Sequence, residues 1–230
     1  MLKLDLGTEW GYAGRAMSMS LRERKKVETH ERLLASTIEL LALRGIDQIT
    51  TREIAERAGV GEATLFRYFP NKRNLFLSAY GTRFGAIVSG YSREQESLNA
   101  DPGLGHTGRD YLARILNGYR ALADLYISDP ENAASYIRES FQLGSVVGVG
   151  GQSHGDRWIG LTTDVIRKGQ DVGEFVVTID ADLMAQNCHA VYVHNSIKTH
   201  VRKLKIENYW EVLSARLELV LAPLLPLRLV

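Results

Sequence analysis

GVGEATLFRYFPNK (residues 59–72) is the stretch on which the reading of the chain turns. A glycine turn leads into about two helical turns. Pro70 ends them by restricting the residue before it, and Lys72 follows closely. Leu65 and Phe69, four apart, share one side of the segment, whereas Thr64, Arg67 and Tyr68 share the other. A helix this short is not stable alone in water, so neighbours must hold its apolar side and a partner is left to use its polar side. Arg67 can donate two hydrogen bonds to a guanine edge or bind phosphate. Thr64 can meet phosphate or a thymine methyl, and Tyr68 offers a ring and a hydroxyl. Lys72 adds charge to a helix N-terminus that already favours phosphate.

Upstream, ETHERLLASTIELLALRG (28–45) has its apolar residues on a helical period, with Leu34, Ile38 and Leu41 on one stripe, and Gly45 is expected to end it as a C-cap. TTREIAERAG (50–59) predicts a short helix with Thr50 as N-cap and Glu53 completing a capping box; Ile54, Ala55 and Ala58 face inward. Two short helices joined by a tight glycine turn, the second polar on its outer face, form a helix-turn-helix pattern whose second helix enters the major groove of DNA. Thr50 and Arg52, opening the first of the pair, sit where helix N-termini commonly abut the DNA backbone. The basic run Arg22, Arg24, Lys25 and Lys26 is expected to precede the first helix as an arm on phosphates.

Residues 29–76 resemble the DNA-binding domain of the TetR family of bacterial repressors, over about a fifth of the chain. The matching features are LLASTIELLALRG, ITTREIAERAGVGEATLFRYF and PNKRNLF, in that order. GQDVGEFVVTIDADLMA (169–185) is similar to the connector that such proteins carry before their last two helices. The resemblance implies a homodimer with one helix-turn-helix per subunit, a palindromic double-stranded operator, and a larger domain that takes a small-molecule effector. Carried over by position, the DNA contacts are Thr50, Arg52, Gly61, Glu62, Ala63, Thr64, Phe66, Arg67, Tyr68 and Lys72. Position 66 is commonly tyrosine in the family; Phe66 has no hydroxyl for phosphate, which leaves it a packing role. Glu62 stands where the family often has a lysine; it repels phosphate but can accept from a cytosine amino group.

The rest of the chain is also helical in pattern, so the expected fold is all-α. A tail is expected over 1–20 without fixed structure, a helix-turn-helix DNA-binding domain over 21–70 and a larger effector-binding and dimerisation domain over 71–230. Asn71 is expected to cap a fourth helix running towards Ser97. Further helices are expected over 108–128, from Pro130 to about Leu143, and over 156–169, 181–202 and 207–222. The glycine-rich stretch 144–155 is expected to be a loop. Tyr119, Tyr126, Tyr136, Phe141, His154, Trp158, Asn187 and Tyr192 are candidate lining residues for a pocket, and because few charges fall on the inward faces the expected effector is apolar or aromatic; for any single aromatic at helical spacing, plain core remains the competing reading. The last two segments are apolar on more than one side, which predicts a subunit interface through Met184, Cys188, Val191, Asn195, Trp210, Leu213, Leu217 and Val220.

Composition sets the outer bounds. The 230 residues are 45% hydrophobic and 24% charged, enough for a sizeable core. Net charge is +1, split into +3 over residues 1–80 and −2 over the remainder, a mild bias towards a basic N-terminal face. A single cysteine, Cys188, fits a reducing cytoplasm, and no apolar run is long enough to predict a membrane span. GVGGQS (148–153) has neither a preceding strand nor a following G-K-[ST]. G-x-S-x-G and H-E-x-x-H are absent, so neither an enzyme nor a cofactor or metal is expected. The rival class is a helical protein-binding adaptor, for which Thr64, Arg67 and Tyr68 would be dispensable to DNA binding.

Overall fold

A computed structural model describes residues 20–101, 106–141 and 153–226. Nine α-helices are present among these residues, with no strand. The expected tail over 1–20 lies outside them, apart from Ser20, as does the loop expected over 144–155 up to residue 152.

The N-terminal unit is built from three helices. Helix α1 spans Leu21–Leu41 and starts in a capping box, the Ser20 hydroxyl accepting from the Glu23 N–H while the Glu23 carboxylate accepts from the Ser20 N–H. Arg22, Arg24, Lys25 and Lys26 therefore lie within the first turns of α1, not on a preceding arm. Gly45 is not a helix cap either. Helix α1 ends at Leu41, and Gly45 has an extended backbone at the start of a 3₁₀ turn, Ile46–Gln48. The carboxylate of the exposed Glu131 lies where a Cβ of residue 45 would stand. Helix α2 spans Thr51–Arg57 and α3 Glu62–Tyr68. Between them Gly59 turns the chain at φ 67°, in the left-handed region that favours glycine.

Helix α4, Lys72–Ala100, is the long element that leaves this unit and enters the body. Asn71 caps it, its side chain accepting from the Asn74 N–H at 2.8 Å. The body adds α5 (Gly108–Ser128), α6 (Pro130–Ser140), α7 (His154–Asp171), α8 (Ala181–Val201) and α9 (Tyr209–Leu221). Helix α7 begins at His154, two residues before the expected start, because Ser153 and Asp156 form a capping box. The connector after α7 turns at Gly173, φ 79°. Helices α7 and α8 lie along each other, and α9 packs on α8 and α5.

The body core is aromatic. Tyr111, Tyr119, Tyr126, Trp158 and Tyr209 are buried, with Tyr126 stacked on Tyr209 at 4.3 Å between ring centres. Helix α1 packs on α4, and α6 closes the junction between the two parts. Its Asn132, 1% exposed, accepts the Ile46 N–H at 3.0 Å and donates to the Leu41 carbonyl at 3.2 Å and to Asp129 at 3.3 Å. Arg73–Glu139 (2.5 Å) and Arg83–Asp129 (2.8 Å) tie α4 to α6. Asp129 thus spends its carboxylate on Arg83 and Asn132 instead of capping α6.

Candidate nucleic-acid interface and interior cavity

The short α3 is held from behind as its pattern requires. Leu65 and Phe69 are buried with Ile54, Leu33 and Ile49, and His30 of α1 stacks on Phe69 at 5.0 Å. Burying a leucine or phenylalanine contributes about 1.5–3 kcal/mol each, enough to hold two turns that would not hold themselves. Two ion pairs brace the unit at its edges: Arg44–Glu53 at 2.5 Å and Arg57–Glu39 at 2.7 Å. Glu53 also accepts the Thr50 N–H, and these bonds, the Thr50 backbone first and Arg44 next, bring its carboxyl down to about 2.

The outer face carries Gly61, Glu62, Ala63, Phe66 and Arg67 exposed, with Thr64 and Lys72 half-buried. Among the described residues neither Arg67 nor Lys72 has a carboxylate within ion-pair distance, so both cations are unneutralised. Arg52 is committed to Glu56 at 2.8 Å, and Thr50 to its cap. The Glu62 carboxylate takes a hydrogen bond from the Thr51 hydroxyl, which ties the start of α3 to the start of α2. Two expectations change. Tyr68 is half-buried, packed on the core with its ring 6.3 Å from His30, so it is only partly outward. Phe66, expected to pack, is 44% exposed, on the flank of α3 beside its buried stripe.

In the body, four of the eight candidate lining residues meet around one cavity of about 330 Å³ between α4, α6, α7 and α8: Tyr136, Phe141, His154 and Tyr192. The other four do not. Tyr119 and Trp158 are fully buried against each other, edge to face at 5.6 Å. Tyr126 is stacked in the core and donates to the Ser196 carbonyl at 2.8 Å. Asn187 points the opposite way, into a surface groove with Arg216 and Leu219. Phe84 and His189 also line the cavity, with Ile137, Ile159 and Val193 among others, and were not anticipated. Phe84 reads as ordinary core of α4, and a lone histidine in an apolar helix carries no signal.

His154 has an unusual seat. Its ring lies across Gly81 and Gly85, one turn apart on α4, where a Cβ would stand 3.2 Å and 3.0 Å from it. Its Nδ1 is hydrogen-bonded to the Tyr136 hydroxyl at 2.8 Å. Burial, assisted by the Arg157 charge, lowers its pKa. Burial pushes His189 down to about 4, against a smaller opposing pull from Asp156.

The expected interface also needs correction. Cys188, Asn195, Leu213 and Leu217 are buried within the single chain, where α8 and α9 face each other and the body. Met184, Val191, Trp210 and Val220 are half-buried and lie nearer the outside. The residues that α8 and α9 turn outward are others, Leu183 (58% exposed) and Leu219 (77%) among them.

A helix-turn-helix with two unpaired cations on its outer face, carried on a larger helical body with an interior cavity, defines a class: an all-α protein of the helix-turn-helix type. Residues 33–79 match the model of bacterial regulatory proteins of the tetR family. HTH-type transcriptional regulator YvkB of Bacillus subtilis is 43% identical over 63 residues, 26% of this chain and 33% of that one. HTH-type transcriptional repressor KstR of Mycolicibacterium smegmatis is 40% identical over 70 residues, 30% of this chain and 32% of that one. The matched stretch thus spans about a third of the length of these curated relatives. Residues 33–79 thus form a DNA-binding domain of the TetR family. Across the whole fold it is similar to Thermus thermophilus FadR, a TetR-family repressor solved with lauroyl-CoA: TM-score 0.64, 17% identity, 86% of this chain and 95% of that one. It is also similar to RolR, solved with resorcinol: TM-score 0.59, 18% identity, 89% and 98% covered. At these identities the likeness is one of fold.

Proposed function

We propose that this chain is a ligand-responsive transcriptional repressor that binds a palindromic DNA operator as a homodimer and leaves it when a small molecule fills the body. The observation that carries this reading is the outer face of α3. Thr64 and Arg67 point away from a core that grips Leu65 and Phe69, and Lys72 stands beside them without a counter-charge. Arg67 suits a guanine edge or a phosphate, and Lys72 suits a phosphate. Thr50, Arg52, Gly61, Ala63 and Tyr68 line the same side as supporting contacts, and Phe66 adds an apolar contact. Glu62 reaches a base only by leaving Thr51.

Two copies pair through the outward faces of α8 and α9, around Leu183, Val191, Leu219 and Val220, packing as a four-helix bundle. Pairing sets the two recognition helices about 34–36 Å apart, one turn of DNA. An effector releases DNA by favouring a conformation with a different spacing. Helices α4 and α6 link cavity to DNA-binding unit, since α6 carries both Asn132 at the junction and Tyr136 in the cavity wall. Repression needs only occupancy of a promoter and is the name borne by the KstR relatives. No helix among the described residues is long and apolar enough to cross a membrane, and the site of action we assign is the bacterial cytoplasm, with no enzymatic step.

Selection of bound fragments from random duplex DNA tests the reading. A palindrome with half-sites one helical turn apart is the expected result. No enrichment at low salt refutes it. Leu219→Glu is expected to shift the protein from dimer to monomer in sedimentation and to weaken operator binding with it.

A further inference from the structure

We propose that the turn joining α8 to α9 is a second DNA-binding element, which holds backbone phosphates from the body of the protein while α3 reads bases. The proposal rests on the reading of the chain as a DNA-binding dimer and adds a contact that the helix-turn-helix does not supply. Its first support is charge. Residues 198–208 hold four cations, Lys198, Arg202, Lys203 and Lys205, against Glu207 alone, whereas the rest of residues 81–230 holds 11 Lys/Arg against 16 Asp/Glu. Arg202, Lys203 and Lys205 are exposed and Lys198 is half-buried. Among the described residues none of the four has a carboxylate within ion-pair distance. Cations this dense and unneutralised, on a body that is otherwise acidic, suit a polyanion.

The second support is the backbone. Helix α8 closes in a Schellman turn: the Leu204 N–H donates to the Thr199 carbonyl at 3.0 Å and the Lys203 N–H to the His200 carbonyl at 3.3 Å. This sets Lys203 at φ 48°, in the left-handed region. Helices α2 and α7 close in the same way, and there the left-handed residues are Gly59 and Gly173. Lys203 is the only residue other than glycine with a positive φ among the described residues. A side chain in that conformation costs backbone energy that glycine would avoid, and what the lysine adds in return is an exposed charge.

Placement decides which polyanion. Tyr126, near the end of α5, stacks on Tyr209 at the start of α9 and donates to the Ser196 carbonyl of α8. Three residues further on, Asp129 holds Arg83 of α4 and the amide of Asn132, and that amide holds Ile46 and Leu41 of the DNA-binding unit. The α8–α9 turn therefore hangs from the corner of the body that rests on the DNA-binding unit. Asp129 and Asp124 at this corner are paired with Arg83 and Arg120, and the exposed carboxylates that follow the turn are Glu207 and Glu211. In the pairing through α8 and α9 proposed above, both turns stand beside the two-fold axis, over the DNA between the half-sites. A cation there acts on phosphates without touching them, since screening at physiological salt extends over about 8 Å.

Fluorescence anisotropy of the full chain across a salt series tests this, on the selected operator and on the same duplex with scrambled half-sites. Lys203→Gly suits the left-handed backbone, so the turn keeps its shape while losing a cation; Arg202→Gln and Lys205→Gln complete a triple variant. Each dimer carries two turns, so the triple variant should lower the slope of log affinity against log salt by at least about two on both duplexes. It should keep the ratio of operator to scrambled affinity within about twofold, whereas Arg67→Ala should cut that ratio about tenfold. Lys203→Gly alone should lower the slope by about one and leave the melting temperature unchanged or raised, which serves if the triple variant folds poorly. A slope change below about one for the triple variant, with operator preference intact in the unaltered protein, overturns this inference alone. No operator preference in the unaltered protein overturns the reading on which it rests. An unchanged DNA slope together with binding of phosphatidylglycerol vesicles by the unaltered protein, lost in the triple variant, overturns it in favour of a membrane surface.

Discussion

Asn132→Leu should be among the most destabilising single changes at the junction between the two parts of the molecule. The side chain is 1% exposed, and leucine nearly matches its size, so the change removes hydrogen bonds without opening a large hole. Two buried backbone groups are then stranded: the Ile46 N–H, which loses its acceptor at 3.0 Å, and the Leu41 carbonyl, which loses its donor at 3.2 Å. Stranding a buried polar group costs about 1–3 kcal/mol, so the two together predict a loss of roughly 2–4 kcal/mol after the gain from an apolar side chain. For a chain of this length that corresponds to a drop in melting temperature of about 6–12 °C. Urea titration followed by circular dichroism measures the free energy, with Asn117→Ala, at an exposed position on α5, as a control expected to stay within about 0.5 kcal/mol. A loss below about 1 kcal/mol for Asn132→Leu would refute the reasoning, since it would mean that neither backbone group depends on the amide.

Further outcomes follow for the DNA face and for the buried and bridged titratable groups. Arg67→Ala should weaken binding to the selected operator by about 1–3 kcal/mol, whereas Lys72→Ala should weaken all duplexes alike and reduce the slope of log affinity against log salt by about one, both measured by anisotropy. Glu53, brought down to about 2 by Thr50 and Arg44, should contribute stability above the usual carboxylate range and lose it as pH falls from about 4.5 through 2; carboxyl titration by NMR checks this, and Thr50→Ala should move the midpoint up. His189, neutral when folded and lowered to about 4, should make the protein less stable as pH falls from 6.5 towards 4. His189→Leu should flatten that part of the stability profile in urea titrations.

The parts of the fold that were legible in advance are those with local chemical punctuation. Thr50 with Glu53, Gly59, Pro70 and Asn71 each act within one helical turn, and α2, α3 and the start of α4 fall where they place them. Gly45 misled because a glycine after an apolar stripe reads as a cap, whereas α1 already stops at Leu41 and Gly45 opens a 3₁₀ turn. The basic residues 22–26 misled because the Ser20 cap outranks the repulsion of neighbouring cations in a first turn. Candidate pocket residues divided evenly between wall and core, since a tyrosine at helical spacing looks the same whether it faces a void or another ring. His189 and the Gly81–Gly85 seat were invisible for a related reason: each takes its meaning from what another helix presses against it. Half of the residues expected at a subunit face are buried in the chain, because the more apolar stripes of α8 and α9 are spent on each other and on the body, leaving Leu183 and Leu219 exposed.

The tie between Thr51 and Glu62 has a kinetic side. Loose attachment to arbitrary DNA is electrostatic, so an anion fixed on the contact surface shortens every chance encounter while costing little where a base or a rearranged side chain compensates it. On the function proposed above, the carboxylate that braces the motif internally would also make the wrong stretch of chromosome easier to leave.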